Sequence, residues 1–240
     1  MLIANRNGML VKGGYTARDY VQDGLIAMWD GEWNAGPGVH DAALGKCVNL
    51  GYGGTFDTPW YYQAVGDDYA EVLDDNPYLN LTNSEGSVSR QIATAWTSVD
   101  GGATIEVVIN NIGNNGTTRG ITAAGGGGAG SIAIGGSALC GVGWKNYRSG
   151  YDFSPGAWNV QTAVVGLHRY EFYINGELVD SQSNPSFSPR EDYKTFTTFP
   201  GGGTNSKAFR FHNWRFYTKP LTSDEIAANY AVDKARFNLP

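Results

Sequence analysis

Short runs of β-branched and aromatic residues, each closed off by Gly, Asn, Asp or Pro, recur along the whole chain, and this punctuation limits its folding more than any other feature. Branched and aromatic side chains suit a pleated, half-buried surface, while the punctuating residues supply turns. Strands are expected near 25–29, 47–50, 88–96, 104–110, 120–124, 131–134, 139–144, 159–165, 169–174, 177–181, 195–199 and 209–217. That pattern excludes a helical domain. No expected strand is followed by an amphipathic helix of roughly 10–15 residues, so parallel strand–helix–strand units are not expected either. All-β sandwiches reach roughly 200–250 residues as one unit, which fits 240 residues in a single domain.

Composition excludes other classes. Glycine, at 34 residues, lacks the three-residue period of collagen, and 13% aromatic with 17% charged residues is unlike a disordered chain. Seventeen basic residues stand against 23 acidic ones without clustering, so there is no cationic footprint for nucleic acid. Apolar runs such as Val107-Val108-Ile109 fall far short of the ~20 residues that cross a bilayer, so membrane insertion is not expected. The N-terminus has no basic start followed by an apolar stretch, so no secretory signal is read. Cys47 and Cys140 lie far apart and His40, His168 and His212 are scattered, which is not zinc-ligand spacing. The two cysteines read as free buried thiols, with a disulfide as the alternative.

Two local signals are sharp. In Tyr170-Glu-Phe-Tyr-Ile-Asn175-Gly176-Glu-Leu-Val-Asp180, Asn-Gly suits the two positive φ angles of a type I′ hairpin turn. A two-residue loop would set Ile174 opposite Glu177 and Phe172 opposite Val179, with Phe172, Ile174 and Val179 on the core face. Near the C-terminus, Thr222 and Glu225 form a capping box and Leu221 and Ile226 a hydrophobic staple. Ile226, Tyr230 and Phe237 then fall on one side of a helix that should lie against the sandwich.

Three segments together resemble the C-terminal half of a laminin-G-like, concanavalin A-like jelly roll: the strand at 158–165, the 170–179 hairpin, and Phe209-Arg-Phe-His-Asn-Trp-Arg-Phe-Tyr217 leading into Glu225-Ile226. Asp23-Gly-Leu-Ile-Ala-Met-Trp-Asp-Gly31 resembles that family's first strand. The resemblance implies an all-β, two-sheet antiparallel jelly-roll sandwich over residues 23–240, with one short C-terminal helix. Residues 1–22 lie outside it and read as an added edge strand or a contact to another subunit or an assembly. The family includes lectins, adhesins and glycosidases, so the resemblance implies a fold and leaves the function open.

Retaining glycosidases need two carboxyl groups ~5 Å apart, and on this fold the family places them on one strand face. Glu106 has no carboxylate two or four residues away, and Glu171 with Asp180 reads as a solvated pair, so catalysis is not expected. Gly125-Gly-Gly-Gly-Ala-Gly130 has the spacing of a phosphate loop but is followed by a strand signal and no Lys, so it reads as a turn. The densest oxygen-ligand run, with Asp67, Asp68 and Asp74, is read as a solvated acidic loop with calcium as the alternative. Between positions 52 and 62 stand five aromatic residues without clean alternation, among them Phe56, Trp60 and Tyr62, with Asp57 beside them. Sugar C–H faces stack on exposed rings, so this loop is the candidate glycan surface, with Trp33 and His40 as second candidates; the alternative is that these rings cover the open edge of the sandwich. Trp96, Trp144, Trp158 and Trp214 lie in strand patterns and are assigned to the core.

The function expected is therefore a non-catalytic recognition module, carbohydrate-binding or adhesion-type, with an extracellular, cell-surface or virion location favoured over a cytoplasmic one and none assigned. The alternative is a structural component of a larger assembly such as a bacteriophage virion, self-associating through residues 1–22. A glycoside hydrolase comes third.

Overall fold

Strands form where the branched and aromatic runs stand, and pairing extends several of them. The computed structural model describes residues 14–25, 28, 102–110, 157–183 and 212–240 with their side chains, and for the other strands their backbone and pairing. In chain order they are β1 (Leu2–Ala4), β2 (Leu10–Lys12), β3 (Leu25–Asp30), β4 (His40–Asp41), β5 (Lys46–Val48), β6 (Tyr61–Gln63), β7 (Ala70–Leu73), β8 (Asn76–Leu81), β9 (Val88–Thr97) and β10 (Ala103–Asn111). There follow β11 (Ile121–Ala124), β12 (Ile132–Ile134), β13 (Leu139–Val142), β14 (Lys145–Arg148), β15 (Trp158–Gly166), β16 (Arg169–Ile174), β17 (Glu177–Ser183), β18 (Asp192–Thr198), β19 (Phe209–Tyr217) and the helix α1 (Ser223–Phe237). All twelve expected strands are present. Strands β1 and β2 fall in the segment read as an added edge strand or a contact, and pair with each other; those not expected are β4, β6, β7, β8 and β14, which are short or carry polar residues or Pro, as in Asn76-Pro77-Tyr78.

The larger sheet has eight strands in the order β17-β16-β15-β10-β19-β8-β7, with β3 also on β19, and β12-β11-β18-β9 form a four-stranded sheet. Each of these ladders is antiparallel. The neighbours of β10 and β19 are distant in sequence, as a jelly roll requires. Strand β12 of the smaller sheet lies against β10 and β15, and α1 lies against β15. The centre of the large sheet is thus covered, and residues 103–110 of β10 are buried throughout. Alternation sends Ile105, Val107, Phe216, Trp214 and Ala163 to one side, all buried. Toward the helix, Leu25, Met28, Val164, Tyr173 and Tyr217 pack with Leu221, Ile226 and Val232. Burying each such apolar side chain contributes about 1.5–3 kcal/mol. At Gly102 a Cβ would stand 2.2 Å from the Val165 carbonyl oxygen, so this approach to β15 admits no side chain.

The Asn175–Gly176 turn has both positive φ angles, 51° and 79°, and pairs Ile174 with Glu177. Beyond that first pair the register shifts. Tyr173 faces Leu178 and Phe172 faces Asp180, leaving Val179 as the extra residue of a bulge. Phe172 and Ile174 are buried as expected, whereas Val179 is 36% exposed and not in the core. A turn fixes only the adjoining pair, and an edge strand accommodates a bulge readily. The same shift separates Glu171 from Asp180: Glu171 faces Ser181, accepts from the Tyr173 hydroxyl at 3.0 Å and meets Arg169 at 3.6 Å.

Helix α1 begins as its sequence dictates. The Thr222 side chain accepts from the Glu225 amide, Glu225 returns to the Thr222 amide, and Leu221 and Ile226 are buried together. It ends at Asn238 in the left-handed region, φ 52°. Its buried face comprises Ile226, Asn229, Val232, Asp233, Arg236 and Phe237, more polar than the apolar stripe expected. No helix among the described residues is long and apolar enough to cross a membrane.

Candidate functional site

Two charged residues stand where apolar ones would be expected, Glu106 in the middle of β10 and Arg215 in the middle of β19. They are direct cross-strand partners on the helix-facing side. The Arg215 Nε donates to Glu106 at 3.0 Å, and its Nη2 donates to Asp233 of α1 at 2.6 Å. Asn229, one turn earlier, donates to Glu106 at 2.6 Å and to the Tyr217 hydroxyl at 3.0 Å. Thr162 of β15 donates to the other Glu106 oxygen.

The segment before β3 completes this cluster. A single 3-10 turn, Ala17–Asp19, capped by Thr16, delivers Tyr20 to its centre. The Tyr20 hydroxyl donates to Asp233 at 2.7 Å and accepts from Arg236 at 2.6 Å and Asn213 at 3.1 Å. The Arg215 guanidinium stacks on the Tyr20 ring, 4.0 Å from its centroid. The Val21 amide donates to Asn229. Burial pushes the Glu106 carboxyl above the usual carboxylate range, against the pull of Arg215. Burial alone would favour the neutral form of Arg215, but Asp233 and then Glu106 outweigh it and hold the guanidinium charged. Burial and Glu106 likewise push the Tyr217 phenol far up.

Two carboxylates around one guanidinium could in principle move a proton. Here Glu106, Arg215, Asp233 and Asn229 are all fully buried, so no substrate reaches them. Their chemistry is structural: they fasten strand, helix and N-terminal segment together. Sequence reasoning missed this cluster, although charged residues embedded in Ile105-Glu106-Val107 and Trp214-Arg215-Phe216 were the available signal.

At the other end of the same face, Trp158 stacks on His212 at 3.9 Å, His212 on Phe237 at 4.4 Å, and the Arg236 guanidinium lies 4.6 Å over Phe237. Of the tryptophans assigned to the core, Trp214 is fully buried and Trp158 is half-buried. Trp144 and the Trp96 side chain lie outside the described residues. The glycan candidates Trp33, Phe56, Asp57 and Trp60 lie outside them too, as do the calcium candidates Asp67, Asp68 and Asp74, and Tyr62 is described only as backbone in β6. Among the described residues no group of three or more His, Cys, Asp or Glu could hold a metal.

The family described as "Concanavalin A-like lectin/glucanases superfamily" matches residues 66–227, more than half of the sequence. The chain belongs to that superfamily. No curated protein matches the sequence of this concanavalin A-like chain. Solved structures similar to it include the receptor binding domain of botulinum neurotoxin D, with 15% identity and TM-score 0.62 over 88% of this chain and 53% of that one. The binding domain of Paraclostridial Mosquitocidal Protein 1 is similar at 16% identity and TM-score 0.54, over 68% of this chain and 46% of that one. A botulinum neurotoxin serotype D ligand binding domain in complex with N-acetylneuraminic acid gives 15% identity and TM-score 0.60, over 88% and 52%. At such identities the likeness concerns the concanavalin A-like fold, and the chain spans about half the length of these structures.

Proposed function

We propose that this chain is a non-catalytic recognition module that binds carbohydrate through the aromatic segment containing Phe56, Asp57, Trp60 and Tyr62, with Trp33 as a further contact. The observation that carries the non-catalytic part of the reading is the fate of Glu106. In a superfamily named for lectins and glucanases, the carboxylate at the centre of the large sheet is sealed beneath a helix and held by Arg215 and Asn229. The binding of N-acetylneuraminic acid by a structurally similar domain supports a sugar ligand. Ring stacking contributes roughly 0.5–1.5 kcal/mol per aromatic, so several rings must act together and single-site binding is weak. Several copies acting at once then raise the avidity. Calcium at Asp67, Asp68 and Asp74 stays the alternative to a solvated acidic loop, and it predicts a thermal midpoint raised by calcium and lowered by chelator.

Glycan-array retention tests the reading. Trp60→Ala should abolish retention while leaving the thermal midpoint nearly unchanged. Retention unaffected by Trp60→Ala and Tyr62→Ala removes the site. Reducing-end release from a polysaccharide, lost on substituting one Asp or Glu, overturns the non-catalytic reading. A second reading, a structural component of a larger assembly such as a virion, is supported by the firm anchoring of residues 16–21 directly behind a separate N-terminal hairpin.

A further inference from the structure

Strands β1 and β2 form a two-stranded sheet of their own. Strands β1 and β2 pair with each other, Leu2 with Lys12, Ile3 with Val11 and Ala4 with Leu10, and join no other sheet among the described residues. An isolated two-stranded hairpin is marginal in water. Its alternating positions place Ile3 and Val11 in one set and Leu2, Ala4, Leu10 and Lys12 in the other, so both sets are mainly apolar. It carries two of the chain's 17 basic residues, Arg6 and Lys12, and none of its 23 acidic ones.

Elsewhere in the chain stands a surface of opposite charge with exposed apolar residues of its own. Strand β17 ends the large sheet, with β16 as its only strand partner among the described residues. Its Leu178 is 53% and Val179 36% exposed, and Glu177 and Asp180 flank them. An edge of unpaired backbone groups with exposed apolar side chains is a template for a further strand. Segment 16–21, bonded to α1 through Tyr20 and Val21, anchors the chain directly behind the hairpin.

We propose that the β1–β2 hairpin of one copy adds to the β17 edge of a second copy. Backbone pairing extends the sheet, Leu178 and Val179 meet the apolar hairpin, and Arg6 and Lys12 complement Glu177 and Asp180. The contact is heterologous, each copy giving a hairpin and receiving another, so it builds closed rings or open chains and not a simple two-fold dimer. The inference goes beyond the glycan reading and stands without it, while supplying the copies that weak sugar sites need.

Light scattering of the 240-residue chain across a concentration series tests this. Wild type should associate, and less so at high salt, because salt screens the attraction between charges of opposite sign. Leu178→Lys blocks the receiving edge by like charge and Ile3→Asp blocks the hairpin; each should weaken self-association by roughly tenfold or more. Circular dichroism confirms that each variant folds. Mixed together, the two variants should form a terminated one-to-one dimer, since Leu178→Lys retains a hairpin and Ile3→Asp retains an edge. A wild type monomeric throughout overturns the proposal. So does a Leu178→Lys protein that associates like wild type, which would mean that hairpins pair with hairpins. Glycan retention is read separately on Trp60→Ala, so failure of one reading leaves the other standing.

Discussion

Arg215 shows how much a single residue carries in this fold. It holds Glu106 on one side and Asp233 on the other, with its planar guanidinium against the Tyr20 ring. Its presence in the core is not evidence of extra stability, since a buried ion pair replaced by apolar groups of like volume is often neutral. Removing one partner is different, because the remaining charges keep their desolvation penalty and lose their compensation. Arg215→Met should therefore destabilise by about 3–5 kcal/mol, read as a lowered denaturant midpoint. Combining it with Glu106→Gln and Asp233→Asn should recover part of that loss. If the triple variant is no better than the single one, the loss is one of packing and not of charge.

At the scale of elements, α1 is specified mainly at its N-terminus. The Thr222–Glu225 box satisfies amide groups that the first helical turn leaves without partners, and Leu221 with Ile226 sets the angle at which the chain enters. Thr222→Ala should lower stability by roughly 1 kcal/mol, and an unchanged denaturant midpoint would count against the capping role. The helix also leans on the Asn175–Gly176 turn, where a Cβ on Gly176 would come within 3.0 Å of the Tyr230 ring. The Asn175 side chain accepts from the Val160 amide and its own amide donates to the Val160 carbonyl, so turn, β15 and helix are held as one unit.

For the molecule as a whole, the N-terminal segment and the C-terminal helix enter the same polar clip. Lys219 bonds Asp23 at 2.6 Å and Glu225 at 2.8 Å, joining the approach to β3 with the first turn of α1. Partial burial would raise the Glu225 carboxyl, but Lys219 and the Thr222 amide outweigh it and hold it below its ordinary 4.5. A carboxyl depressed in the folded state contributes stability above its unfolded value and loses it as pH falls through the folded one. The stability difference between wild type and Glu225→Gln should thus be largest near about pH 7 and shrink toward about pH 3. A difference equal at both ends would show that the charge of Glu225 plays no part.

The amino-acid sequence determined the fold class, the twelve principal strands, the Asn175–Gly176 turn and the start of α1, because each is written in local chemistry: branched runs, turn residues, a capping box. Tertiary structure alone decided the bulge that turns Val179 outward, since register beyond the first hairpin pair depends on what lies beside an edge strand. It also decided the polar underside of α1. Asn229, Asp233 and Arg236 carry no local mark of burial and are buried because Glu106, Arg215 and Tyr20, from 18 to 216 positions away along the bonded pairs, meet them there. The strands unseen in the sequence, such as β8 with its Pro77, exist because β7 and β19 offer them partners. A polar group is placed in a core only when its partner arrives from elsewhere in the chain, and no local pattern records that arrival.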